Sequence, residues 1–174
     1  MKKRGYFFEL DAALALFILV IGAFFIASYY IQEPEVVQAG LLSDDMMDYL
    51  ADTKIKNLDN TYAGIGGDLW SRKEIVNPDN SLLQQAGEFY ATGRMPLAYS
   101  FVKNTTSQSI PYQYLYEIWL DNKTIYPQNL DMQHNMSRNN TGLFVVSRGI
   151  TYGLLNNTPN LWGPYKVEIY VWER

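Results

Sequence analysis

Residues 2–30 read KKRGYFFELDAALALFILVIGAFFIASYY. Twenty consecutive positions, 12–31, carry no charge. A helix rises 1.5 Å per residue, so this run spans about 30 Å, one hydrocarbon thickness. The pattern predicts a membrane-crossing helix over 6–33. Lys2, Lys3 and Arg4 ahead of it stay on the cytoplasmic side, which puts the C-terminal bulk of the chain outside. A cleaved secretory signal fits poorly. Its apolar region is usually about 7–15 residues and ends at a small-residue cleavage site. This run is longer and continues into SYYIQEPE.

The junction holds an anomaly. Glu9 and Asp11 border the apolar run, and Gly5 separates them from the basic cluster. Two readings are open. In the plain one, both acids sit in the first helical turn, where carboxylates complement the helix dipole and satisfy free N–H groups. In the other, a peptidase cuts beside Gly5 on the cytoplasmic side. The helix then stays on the mature chain with a new α-amine at its tip. If such helices bundle, that amine enters an apolar core and needs a carboxylate from a neighbour. Glu9 is the candidate; Asp11 lies about 200° away around the helix.

A basic cluster, Gly5, aromatics, an acid and a long apolar helix together resemble the class III signal peptide of type IV pilins, particularly archaeal pilin-like proteins. The resemblance covers residues 2–31. It implies a leader, 1–5, recognised through Lys3, Arg4, Gly5 and Tyr6 by a prepilin peptidase-like enzyme. It also implies assembly through Glu9 or Asp11, and self-association into an extracellular filament from a membrane-held precursor. The spacing departs from the bacterial pattern, in which glutamate is the fifth mature residue. A cut after Gly5 makes Glu9 fourth, and a cut after Arg4 makes it fifth.

Beyond the helix, residues 34–174 suit one domain of ordinary size. Pro34 should kink or restart the helix. Val37, Leu41, Leu42, Met46, Tyr49 and Leu50 recur at helical spacing, predicting an amphipathic helix over 35–56. LDNTYAGIGGDLW (58–70) reads as a loop. Its glycines lack the lysine and Ser/Thr of a phosphate-binding loop. Ser81 caps a helix through Tyr90 that Gly93 stops, and another helix follows over 96–102. Alternation then takes over. Tyr112, Tyr114, Tyr116, Ile118 and Leu120 share a strand face, and residues 121–123 turn the chain into 124–126. GLFVVSRGITYGL (142–154) and PYKVEIYVWE (164–173) give two more strands. The expected fold class is α+β: helices packed on a small antiparallel sheet.

Composition narrows the function. Net charge is −4 and the isoelectric point near 4.9, which argues against nucleic acid as the main partner. There is no cysteine, hence no thiolate site and no cysteine nucleophile. The one histidine, His134, lies in the polar stretch DMQHNMSRNN and has no metal-ligand spacing around it. Asp44, Asp45 and Asp48 read as a solvated helix face. No catalytic, cofactor or metal residue is expected, and the chain reads as a non-enzyme. Asn-x-Ser/Thr occurs five times, at Asn104, Asn122, Asn135, Asn139 and Asn156. Chance pairing of thirteen Asn with eighteen Ser or Thr in 174 residues gives about 1.3. All five fall on the side expected to be outside, where N-glycosylation applies. The leading expectation is a pilin or minor-pilin filament subunit at the cell surface. The alternative is a single-pass anchored surface binding or adhesion protein that does not polymerise.

Overall fold

The computed structural model describes residues 3–31, 35–127 and 144–174. The chain divides into two compact units, Met1–Glu35 and Val36–Arg174. The first unit is one helix, α1 (Lys3–Ile31). Within it, Leu10–Ser28 is long and apolar enough to cross a membrane, at 19 residues or about 28 Å. None of that stretch is buried. Its large side chains, Phe17, Leu19, Phe24 and Phe25 among them, all point outward. A helix apolar all round has no core-facing stripe of its own and requires an apolar surrounding. Pro34 lies outside the described residues.

The second unit is α+β. Its helices are α2 (Glu35–Asp52, within this unit from Val36), the single turn α3 (Asp68–Ser71), α4 (Leu82–Ala91) and α5 (Met95–Thr106). Among the described residues four strands follow: β1 (Tyr114–Leu120), β2 (Lys123–Tyr126), β3 (Val145–Leu154) and β4 (Leu161–Glu173). They form one antiparallel sheet in the order β2-β1-β4-β3, so the last strand is central. Local signals account for several boundaries. Ser81 and Gln84 make reciprocal side chain–backbone bonds at the start of α4. Gly93, at φ 73°, ends that helix. Asp121, at φ 51°, turns β1 into β2, and its carboxylate accepts from Lys166 N–H at 3.0 Å.

The core lies between the helices and one sheet face. Tyr114, Tyr116, Ile118 and Leu120 of β1 are buried there, with Val167, Ile169 and Val171 of β4. Tyr112 is exposed; β1 begins two residues after it, so it does not join this face. The buried stripe of α2 also differs from expectation. Ala39, Ser43, Met46, Met47 and Leu50 face inward, whereas Val37 and Leu41 are exposed. Met47 lies against Gly149 of β3, so the bare glycine admits the helix there. Trp162 wedges between α4 and β3. A Cβ added at Gly87 would collide with its ring, and one at Gly153 would come within 2.8 Å. Phe89 and Phe101 meet edge to face at 5.8 Å and are fully buried.

Candidate functional site

The residues of the leader junction, Lys3, Arg4, Gly5 and Tyr6, lie in the unbroken backbone of α1 with Glu9 and Asp11. The helix runs from Lys3, and its first turn holds no acid. That removes the plain reading in which Glu9 and Asp11 neutralise first-turn N–H groups. They sit about two turns in, and Asp11 is exposed. A cut after Gly5 reverses the geometry: Glu9 becomes a first-turn residue of the shortened helix.

The sequons separate into different environments. Asn104 is exposed on α5, but its partner hydroxyl is not. Thr106 is fully buried and its Oγ1 lies 2.7 Å from both the Val102 carbonyl and Tyr116 Oη. Asn122 occupies the exposed turn between β1 and β2, with Thr124 half-buried behind it. Asn156 is also exposed, at φ 48°, in the short 3₁₀ turn Leu155–Asn157. Thr158 beside it is exposed and donates to the Leu155 carbonyl at 2.6 Å. Asn135 and Asn139, like His134, lie outside the described residues.

A buried carboxylate that sequence inspection missed holds the Asn156 turn in place. Glu88 of α4 accepts from the Asn156 backbone N–H at 2.6 Å through Oε1. Its Oε2 accepts from Asn80 Nδ2 at 3.1 Å, and the same amide donates to Gln85 Oε1 at 3.2 Å. The partners of Glu88 are 8 and 68 positions away in sequence, so no local pattern announces them.

The glycine-rich loop has a specific reason not to cradle phosphate. The amides of Tyr62, Ala63 and Gly64 all point at Asn60 Oδ1, at 3.1, 2.6 and 3.2 Å. An internal acceptor already occupies the nest that an anion needs. Gly64 is required by crowding, since a Cβ there would lie 2.5 Å from the Leu58 carbonyl oxygen. Asp44, Asp45 and Asp48 are exposed, and among the described residues no group of three or more metal-ligating side chains converges.

The sheet face opposite the core carries a charge cluster. Glu168 of β4 is buried and pairs with Arg148 and Lys166, each at 3.1 Å. Burial pushes its carboxyl up, but the bonds and charges of Lys166 and Arg148 outweigh this, and its pKa is lowered overall. Tyr170 beside it is raised, by burial first and then by the Glu168 charge. The cluster cross-links β3 to β4, and the Tyr170 hydroxyl donates to Glu168 Oε2 at 3.4 Å.

No protein-family model, no curated protein and no solved structure matches the chain.

Proposed function

We propose that the chain is a structural subunit of an extracellular type IV pilus-like filament, matured by cleavage near Gly5 and assembled through α1. The observation that carries this reading is α1 itself. No residue of Leu10–Ser28 is buried, residues 12–28 carry no charge on any side, and the run is preceded by the Lys3-Arg4-Gly5-Tyr6 junction. A plain anchor needs the apolar run but has no use for the junction. Val37 and Leu41, exposed at the start of α2, offer further apolar surface for a neighbouring subunit. Asn122 and Asn156, on exposed turns, suit a glycosylated surface. A structural role needs no chemistry beyond packing and charge pairing.

The experiment is N-terminal mass analysis of the mature protein from its native host, with electron microscopy of filaments. Loss of four or five residues is the expected result, and Gly5→Val should block it. Glu9→Gln should leave membrane insertion and head folding intact while depleting filaments. Losing one partner of a buried ion pair costs roughly 3–5 kcal/mol at each subunit contact. An intact N-terminus and normal filaments from Glu9→Gln would together overturn the proposal.

One observation favours the second reading, an uncleaved single-pass surface anchor. Gly5 lies within continuous helix. A peptidase that binds extended backbone must first unwind the end of α1, and an anchor requires no such step.

A further inference from the structure

One cleft in the second unit differs in chemistry from the acidic molecule around it. It has a volume of about 380 Å³ and opens between α5, the start of β1 and the end of β2. That is within the range of roughly 300–1,000 Å³ typical of small-ligand sites. Its wall is a column of three stacked tyrosines. Tyr99 lies 5.7 Å from Tyr126, and Tyr126 lies 4.7 Å from Tyr116, with ring planes within 15° and 19° of parallel. The column is held in advance. Tyr116 Oη is bonded to Thr106 Oγ1 at 2.7 Å, and burial pushes its phenol far above the ordinary value, so it stays protonated. Tyr112 stands at the rim, 84% exposed, and presents its ring to solvent.

The charge of the lining is one-sided. Lys103 and Arg174 contribute to it, and no Asp or Glu does. Lys103 makes no ion pair among the described residues. Its ammonium lies 5.9 Å from the Tyr99 ring, at the last turn of α5, where the helix end favours a cation. In a chain of net charge −4, two cations beside five phenols and no carboxylate side chain form a local anion-attracting site.

We infer that this cleft binds a carboxylated saccharide, with one sugar ring against Tyr112 and its carboxylate at Lys103. A pyranose has a face of C–H bonds and a rim of hydroxyls. The C–H face matches the electron-rich face of an aromatic ring. The rim matches phenols that both donate and accept hydrogen bonds. The carboxylate supplies the charge that Lys103 lacks. A bare anion uses the cations but leaves the tyrosines without a role. An acidic peptide supplies the charge but no ring-sized C–H face.

The test is calorimetric titration of the full-length chain in detergent micelles with trigalacturonate, maltotriose and tetraglutamate. Trigalacturonate should bind, maltotriose about tenfold more weakly or worse, and tetraglutamate not measurably. Lys103→Gln should reduce trigalacturonate binding to the maltotriose level. Tyr112→Ala should weaken both sugars, and its exposed position leaves folding unaffected. The inference is overturned if no heat accompanies trigalacturonate up to about 10 mM. It is equally overturned if maltotriose or tetraglutamate binds as tightly, or if both variants titrate like the parent chain. None of these outcomes depends on filament assembly, so the cleft and the filament proposal fail separately.

Discussion

Phe24 and Phe101 are the same residue in opposite circumstances. Phe24, in the first unit, is 72% exposed, whereas Phe101, in the second, has no exposed surface. The first unit satisfies its backbone within one helix and leaves its side chains for an outside medium to cover. The second buries its aromatics against its own helices and sheet. A high apolar fraction therefore serves two purposes in one chain. Only the second contributes to a cooperative fold, because burial against self is what stabilises a folded state over its unfolded chain.

The sharpest way to break this comparison is to truncate both phenylalanines. Phe101→Ala should lower the unfolding free energy by about 3–5 kcal/mol. Phe24→Ala should not move it, and should weaken retention in membranes or detergent instead. All four tryptophans, Trp70, Trp119, Trp162 and Trp172, lie in Val36–Arg174. Denaturant unfolding followed by tryptophan fluorescence therefore reads the second unit alone. An equal loss from both variants would mean that the two units unfold together.

A smaller effect is expected from glycines. Gly87→Ala drives a methyl group into the Trp162 ring. Such overpacking costs about 1–3 kcal/mol. Gly22→Ala in α1 meets nothing within 4 Å and should leave the fluorescence midpoint unchanged. The same two-variant assay decides it.

Acid should remove a smaller contribution still. The pKa of Glu168 is lowered in the folded state. Its stabilisation is therefore complete above the unfolded value, about 4.3, and is lost as pH falls through the folded value. The parent chain should lose more stability between pH 6 and pH 3 than Glu168→Gln does. An identical acid response in both would detach the Arg148–Glu168–Lys166 cluster from acid sensitivity.

The sequons should hardly affect stability, but they sharpen the contrast between exposed and buried groups. If sugar is added after the second unit folds, glycopeptide mass spectrometry should find it on Asn122 and Asn156 and not on Asn104. The Thr106 hydroxyl is committed to Tyr116 and the Val102 carbonyl. Sugar on Asn104 at full occupancy would show that modification precedes folding.

Much of this fold is legible in the sequence because its signals are local. The apolar run became α1, the Ser81-to-Gln84 spacing became a capping box, Gly93 ended α4, and the alternation of tyrosines became β1. Legibility fails where burial depends on partners distant in the chain. Period-two alternation places Glu168 and Trp172 on the strand face away from Val167, Ile169 and Val171, but it carries no information on whether that face is covered. Both are buried. The face of α2 was misread in the same way. Val37 and Leu41 are apolar at helical spacing, yet the residues buried are Ala39, Met46 and Met47, with Met47 against Gly149 of β3. Small residues such as Ala39 give little signal although they allow close approach. The tyrosine cleft was also invisible, since Tyr99, Tyr116 and Tyr126 come from three separate elements.

The central place of β4 has a consequence for how the chain is made. β1 and β3 both pair with β4 and not with each other, and β4 follows both in the chain. Until it leaves the ribosome, the earlier strands have no common partner, and the hairpin of β1 and β2 is too small to be stable alone. Helix α1 precedes all of these strands in the chain, and a helix satisfies its backbone hydrogen bonds within itself. An insertion machinery can therefore take up α1 while the remainder is still an unfolded, threadable chain. Synthesis order and strand order together keep the sheet from closing early, and a ribosome stalled before Leu161 would leave a nascent chain with its first helix complete and its sheet without a middle.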